Sequence, residues 1–303
     1  MSYLELYVSP SLVFSGFQKS FEEADYVVLG VPFDNTSTYR TGARFAPTAI
    51  REASLNIETY SFRMNIDVEK LKIHDVGNLE ISANTDETLK RLELVANEIL
   101  EARKIPVFIG GEHTITLGIV RAFKKLENLA VVSFDAHLDL RDEYLDKKTS
   151  HTTFMRRINE QIKPKTIIEV GTRAVCREEL EYAEKAGIKF ITSLQILKEG
   201  IEQAKEKLRE LLAEIQNVYL TIDLDVLDPA YAPAVQNPEP EGISPFMLHE
   251  LIAEVCKKRI VGFDLVEVTP NYDSGATAIQ ASRTIFEILC CIERNRTAPS
   301  FTG

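Results

Sequence analysis

Short apolar runs rich in β-branched residues alternate with longer amphipathic stretches along the whole chain. The runs are Tyr26–Gly30, Lys72–Asp75, Ile105–Ile109, Leu129–Phe134, Thr166–Val170, Ile188–Ile191, Val218–Ile222 and Ile260–Leu265. A strand wetted on one face alternates apolar and polar side chains; runs that are mostly apolar predict strands covered on both faces. Between them, apolar residues recur at helical spacing over Asp86–Lys104, Thr114–Lys125, Glu178–Ala186, Ile201–Ile215, Pro245–Lys258 and Ala276–Arg294. The helix Pro245–Lys258 carries its own start signal: Ser244 as N-cap and Pro245 at the first helical position, where a missing N–H is not needed. Strands separated by helices predict a parallel sheet wrapped by helices. Eight strands suit one sheet in a three-layer α/β/α sandwich or a closed eight-fold barrel, and the rhythm alone leaves both open.

Composition narrows the class. Hydrophobic residues make up 45% of the 303 positions, enough for a large core, so global disorder is excluded. No linker, low-complexity tract or repeat divides the sequence, which reads as one domain over 1–303. No apolar stretch reaches the roughly 18 residues of a membrane-spanning helix. The N-terminal MSYLELYVSPSLVFSGF lacks a basic segment ahead of a long apolar core, so a secretory signal is not expected. The net charge of −11 argues against a nucleic-acid partner, which needs clustered Lys and Arg, and permits a cationic substrate or metal ions. Cys176, Cys256, Cys290 and Cys291 show no CxxC spacing. They read as buried thiols of a reducing, cytoplasmic compartment.

The candidate chemistry lies at strand ends. VVSFDAHLD (Val131–Asp139) runs from an apolar strand into Asp135, His137 and Asp139, and TIDLDVLD (Thr221–Asp228) does the same with Asp223 and Asp225. Spacing of two puts such side chains on one face of an extended chain. Two acids there repel unless a cation or an arginine neutralises them. In IGGEHTITLG (Ile109–Gly118), Gly110 and Gly111 permit a sharp bend and set His113 at a helix start. GFDLVEVTP (Gly262–Pro270) carries Asp264 and Glu267, three apart and so on opposite faces of an extended strand, leaving one free to be structural while the other faces a site. His151 closes the acidic loop Arg141–Lys148 and taken alone reads as an ordinary loop histidine. Together, His113, Asp135, His137, Asp139, Asp223 and Asp225 exceed the needs of one tetrahedral zinc and suit two divalent ions with bridging carboxylates. Oxygen-rich ligation with some imidazole favours Mn²⁺, with Co²⁺ or Zn²⁺ as substitutes, and four carboxylates balance two dications so that a bridging hydroxide can serve as nucleophile.

These motifs resemble the ureohydrolase family of arginases and agmatinases. VVSFDAHLD, TIDLDVLDPAYAPAVQNPEPEG, GGEHTITLG and the opening segment GVPFDNTSTYRTGARFAPTAIR carry the resemblance, which covers about residues 25–294. One departure is Ala46, where many relatives have Gly. The resemblance implies the arginase-like α/β/α sandwich with an eight-stranded, mostly parallel sheet. It implies two Mn²⁺ per chain, one held by His113, Asp135, Asp139 and Asp223, the other by Asp135, His137, Asp223 and Asp225. It further implies Glu267 as the guanidinium-binding acid, His151 as a proton shuttle, and a homo-oligomer, trimer or hexamer.

A metal-bound hydroxide attacking a guanidinium carbon releases urea and an amine, with Asp139 passing the proton to the leaving nitrogen. The substrate tail is expected against the loop Leu140–Ser150, whose Asp142 and Glu143 stand in place of the arginase pattern's carboxylate-binding Asn. An acidic mouth favours a free ammonium, so agmatine, giving putrescine, is the expected substrate. Aminopropylagmatine would undergo the same chemistry; arginine, guanidinobutyrate and formimidoylglutamate carry a carboxylate and rank lower. Two readings of other classes are a catalytically silent metal-binding homologue and a one-zinc deacetylase-like hydrolase.

Overall fold

The computed structural model describes residues 2–297. Eleven strands occur: β1 (Val8–Ser9), β2 (Tyr26–Gly30), β3 (Tyr60–Ser61), β4 (Ile66–Asp67), β5 (Ile73–Leu79), β6 (Ile105–Ile109), β7 (Leu129–Phe134), β8 (Thr166–Thr172), β9 (Lys189–Thr192), β10 (Asn217–Asp223) and β11 (Arg259–Val266). Nine form one sheet in the order β1-β5-β2-β6-β11-β10-β7-β8-β9, and β3 and β4 make a separate two-stranded ribbon. The sheet has two edges, which excludes the closed barrel. Eight of its strands are parallel and match the eight apolar runs. The ninth, β1, pairs antiparallel with β5 through Val8↔Leu79 and Ser9↔Asn78, correcting the expected count of eight. Two residues are too short to show any periodicity, and this pairing covers an edge that would otherwise be open.

Among the described residues ten α-helices flank the sheet: α1 (Tyr3–Tyr7), α2 (Ala46–Ser54), α3 (Thr85–Glu101), α4 (Ile115–Arg121), α5 (Phe154–Gln161), α6 (Arg177–Ala186), α7 (Ser193–Glu199), α8 (Ile201–Leu211), α9 (Pro245–Val255) and α10 (Ala276–Thr297). Side chains alternate across the sheet. Val132 and Phe134 of β7 join one core with residues of α2 and α7–α10, and Leu129 and Val131 join the other with residues of α3–α6. Burial on both faces is the reason the parallel strands read as continuous apolar runs. The short helices α1, α2, α5 and α7 were not expected from periodicity. Each is two turns or so, stabilised by packing more than by propensity. Helix α9 begins as its sequence implies, with Ser244 Oγ accepting the Met247 N–H at 3.3 Å.

Arg51 of α2 is fully buried and pairs with both oxygens of Asp75 at 2.8 Å, tying that helix to β5. Three of the four cysteines are buried; Cys176 is partly exposed at the start of α6, where the chain turns back toward solvent, which corrects its reading as a buried thiol. Among the described residues no helix is long and apolar enough to cross a membrane.

Candidate metal centre

Four neighbouring strands, β6, β11, β10 and β7, end side by side, and the loops leaving their C-terminal ends converge, as ligands do in open α/β sheets. The aspartates do not act from extended backbone, as spacing alone suggested. β7 stops at Phe134, and a tight turn follows β10. Asp135 Oδ1 accepts the His137 N–H at 2.6 Å, and Asp223 Oδ1 accepts the Asp225 N–H at 2.9 Å. Each is an Asx turn, in which a side chain bonds its own backbone two residues on. Asp225 Oδ1 accepts the Ala136 N–H at 3.0 Å, locking the two loops together. The spacing of two is thus a folding device: one oxygen of each acid is tethered to backbone, and in Asp135 even the tethered oxygen lies near the second imidazole.

The carboxylates meet the imidazoles. His113 Nδ1 lies 3.1 Å from Asp135 Oδ2, 3.2 Å from Asp223 Oδ2 and 3.7 Å from Asp139 Oδ2. His137 Nδ1 lies 3.0 Å from Asp225 Oδ2 and 3.4 Å from Asp135 Oδ1. Two donor sets result, His113–Asp135–Asp223 and Asp135–His137–Asp225, and each could hold a cation. Asp135 belongs to both. Asp139 sits beside them at φ 51°, its left-handed backbone turning the carboxylate toward His113.

The ring of His113 is held from behind. Its Nε2 is 2.8 Å from Thr221 Oγ1, whose hydroxyl donates to Asp264. That hydroxyl has one proton, so the ring supplies the other, on Nε2, and Nδ1 is the nitrogen that a ligand can take once the ring is neutral. His113 Nδ1 is buried with no hydrogen-bond partner, as a ligating nitrogen should be. The ring also stacks on Phe154 of α5 at 4.0 Å. Asp264 is the structural member of the GFDLVEVTP pair, fully buried and bonded to Thr116, Tyr219 and Thr221.

Glu267 lies one residue beyond β11, so opposite faces of a strand do not describe it. At φ 70° the chain turns, with the Glu267 N–H on Gly111 O at 2.8 Å. Glu267 Oε1 accepts the His113 N–H at 2.5 Å, while Oε2 is buried without a partner. Gly111 also lets the segment at Phe33 close on this turn: a Cβ there would stand 1.9 Å from the Phe33 carbonyl oxygen. His151 is buried, with Nδ1 3.8 Å from Glu267 Oε1 and Nε2 3.1 Å from Thr38 Oγ1.

Electrostatics reflect a site crowded with acids. Burial opposes charge on His113, but Asp135, 3.1 Å from Nδ1, and the surrounding carboxylates outweigh it and push the imidazole up to about 9. His137 is also raised: burial opposes its charge, but Asp225 and Asp135 outweigh it. Burial, then the charges of Asp135 and Asp225 respectively, hold Asp139 and Asp223 well above the usual carboxylate range. Burial, then Asp223 and Glu112, does the same to Glu267. His151 moves the other way, to about 3, through burial and the positive charges of His137 and His113. Asp139, Asp223 and the imidazoles of His113 and His137 are thus held in protonated forms, and cations entering here would displace those protons.

The inner space, lined by His137, Asp139, His151, Asp225, Asn237 and Glu267, opens past Thr38 and Asn237 into a cavity of about 430 Å³. The structure does not bring Asp142 and Glu143 into either. Asp142 is drawn away by two arginines of α5, with Arg157 at 2.6 Å and Arg156 at 3.4 Å, and Glu143 is exposed. Besides Asp139, the acids that line the outer cavity are Glu179 and Glu239. Thr38 and Asn237 lie inside two of the quoted motifs but have no spacing that marks them as site residues, and Glu179 lies in none of the motifs. A larger cavity, about 860 Å³, lies where β6 and β11 begin, at the opposite end of the sheet, and contains none of these groups.

Comparison with known proteins agrees with this geometry. The Arginase family matches residues 24–291. An agmatinase of Bacillus anthracis is 37% identical over 284 residues, covering 91% of this chain and 95% of that one. An N(1)-aminopropylagmatine ureohydrolase of Thermococcus kodakarensis is 36% identical, covering 88% of this chain and 90% of that one. The crystal structure of an agmatine ureohydrolase of Thermoplasma volcanium superposes with a TM-score of 0.85 at 37% identity, covering 92% of this chain and 93% of that one. Strand order, converging acid loops and a match along nearly the whole length lead to one assignment: the chain belongs to the arginase family.

Proposed function

We propose that the protein hydrolyses a guanidino compound with a cationic tail, agmatine first, to urea and an amine, using two divalent cations, Mn²⁺ by preference. One observation carries the reading: Glu267 Oε2, buried and without a partner, faces the inner cavity beside the paired donor sets. The bare, buried Nδ1 of His113 fits a metal at the first set. His113, Asp135, Asp139 and Asp223 would hold one ion, and Asp135, His137, Asp223 and Asp225 the other. Bound there, the ions would supply Lewis-acid activation of water near neutral pH.

The chain's own residues do the rest. Glu267, anchored by the His113 N–H, accepts N–H bonds from the planar guanidinium and aims its carbon at the centre. The entering cation restores charge to a carboxylate that burial had raised. Asp139, at the cavity wall, takes the proton that water releases and hands it to the leaving amine nitrogen. His151, uncharged at neutral pH, exchanges protons with the outer cavity. Water adds to the carbon, the C–N bond to the tail breaks, and urea and a protonated amine leave.

The tail is read in the outer cavity. Glu239 lines it, and Glu179, whose two oxygens accept the Leu140 and Cys176 N–H groups, adds negative charge at its wall to attract an ammonium. The Arg173 guanidinium is occupied by backbone carbonyls, and Arg141 stacks on Tyr144 at 5.0 Å. Two relatives whose names specify agmatine-type substrates support the same choice. With Mn²⁺ added, urea release from agmatine is expected to exceed release from arginine by at least 100-fold in kcat/KM, with aminopropylagmatine as the second substrate tested. Equal or faster turnover of arginine overturns the substrate assignment, and no urea from any of them overturns the reaction.

A further inference from the structure

We propose that Thr38 and Asn237 form a hydrogen-bond relay that fixes His151 in its Nδ1–H tautomer, so that the ring proton faces Glu267. Asn237 Nδ2 donates to Thr38 Oγ1 at 3.4 Å, and Thr38 Oγ1 lies 3.1 Å from His151 Nε2. An amide NH₂ only donates, so Thr38 accepts from Asn237. Thr38 Oγ1 has no other partner among the described residues, so its single hydroxyl proton goes to the ring and His151 Nε2 accepts it. A buried, uncharged imidazole has one N–H, which therefore sits on Nδ1. That N–H is 3.8 Å from Glu267 Oε1, too long for a direct hydrogen bond and short enough for attraction in a buried site.

With the amide turned over, Thr38 would donate to Asn237 and accept from His151 Nε2–H, and the bare Nδ1 would face Glu267 Oε1, the oxygen already committed as acceptor to the His113 N–H, so Nδ1 would gain no donor. The observed direction also leaves Asn237 Oδ1 buried and without a partner in a residue that lines both inner and outer cavities. It is an acceptor facing the path of a cationic substrate. The relay is fixed in space as well: the His151 N–H donates to Thr36 Oγ1 at 3.2 Å, and Thr36 is anchored on buried Glu112, so backbone and ring of His151 are both held by the segment 36–38. Thr38 and Asn237 are positioning residues, since they act through His151.

The consequence for turnover rests on the ureohydrolase reading; the tautomer does not. The test uses full-length protein labelled with ¹⁵N-histidine and loaded with diamagnetic Zn²⁺, with the His151 signals identified by their loss in His151→Asn. The wild type is expected to show a pyrrole-type Nδ1 and a pyridine-type Nε2. Asn237→Asp, whose carboxylate can only accept, is expected to reverse them. Thr38→Val is expected to mix the two forms, and Thr38→Ser to restore the first. In the Mn²⁺ enzyme, Thr38→Val should lower kcat about tenfold with KM within twofold, and Thr38→Ser should recover it. An Nε2–H tautomer in the wild type, or one unchanged by both Asn237→Asp and Thr38→Val, overturns the relay. Absence of turnover on every guanidino compound overturns the proposed function instead, and the NMR result still decides the tautomer.

Discussion

Glu267 concentrates the specificity of the proposed reaction in one side chain. Changing it to Gln keeps the shape, and the Gln carbonyl can still take the His113 N–H, so both donor sets stay in place. What is lost is the charge that pairs with a guanidinium, on the order of 3–4 kcal/mol for a buried charge-assisted pair, or about 10²–10³-fold. Glu267→Gln is therefore expected to bind two metal ions per chain by elemental analysis while kcat/KM falls by that factor; near-wild-type activity would remove Glu267 from substrate binding. A second histidine carries a different consequence. His249 of α9 is buried against Thr284, with Nε2 and Oγ1 3.1 Å apart, and burial plus the Arg63 and Arg283 charges lower it to about 4. From an unfolded value of 6.5, the unfolded chain takes a proton that the folded chain refuses. Stability is therefore unaffected above pH 6.5, falls as pH drops toward 4, and levels off below it, a loss of about 3 kcal/mol. His249→Gln should remove that limb, seen as a wild-type-minus-variant difference in urea-unfolding free energy that grows between pH 6.5 and 4; a constant difference would count against it.

Arg173, just past the end of β8, clamps the loop that follows Asp225. Its guanidinium donates to the carbonyls of Gly171, Asp225, Val226, Leu227, Glu239 and Pro240, at 2.7 to 3.3 Å. It joins the turn bearing one donor set to the stretch bearing Asn237. Arg173→Met leaves those carbonyls without their donor, a cost of about 3 kcal/mol. Metal content is expected to drop from two ions toward one, with faster proteolysis within 228–243; two tightly held ions and unchanged proteolysis would show that the loop needs no clamp. Little of this was legible in the sequence, because the arginine's partners are backbone carbonyls, which no residue type encodes. The eight parallel strands and the convergence of their acids were legible, because burial on both faces and alternating carboxylates leave periodic traces. The short helices and β1 leave none. The outer cavity misled for a related reason: Asp142 and Glu143 supply charge in the right loop, but two arginines from α5, distant in no obvious pattern, decide where Asp142 points.

The donor groups span residues 113 to 225 and meet only when four strands lie in order, so cation binding belongs to the folded state alone. Without cations, the fold must keep several acids and two imidazoles together at the expense of abnormal protonation, a strain visible in the raised Asp139 and Asp223 and the raised His113. A ligand that binds only the native chain stabilises it by about 2.7 kcal/mol per site at 100 times its dissociation constant. Two sites give about 5 kcal/mol. For a chain of 303 residues, unfolding entropy is about 0.6 kcal/mol/K, so the midpoint should rise by roughly 8 °C. The rise should track the logarithm of free Mn²⁺ and reverse on chelation, and it should be halved in Asp225→Asn, which weakens one donor set and leaves His113–Asp135–Asp223 intact. Because acid and imidazole protons must leave first, the same titration run at lower pH should need more Mn²⁺ for an equal rise. A midpoint indifferent to Mn²⁺ and to chelator would mean that the loops converge for some other reason than holding a pair of cations.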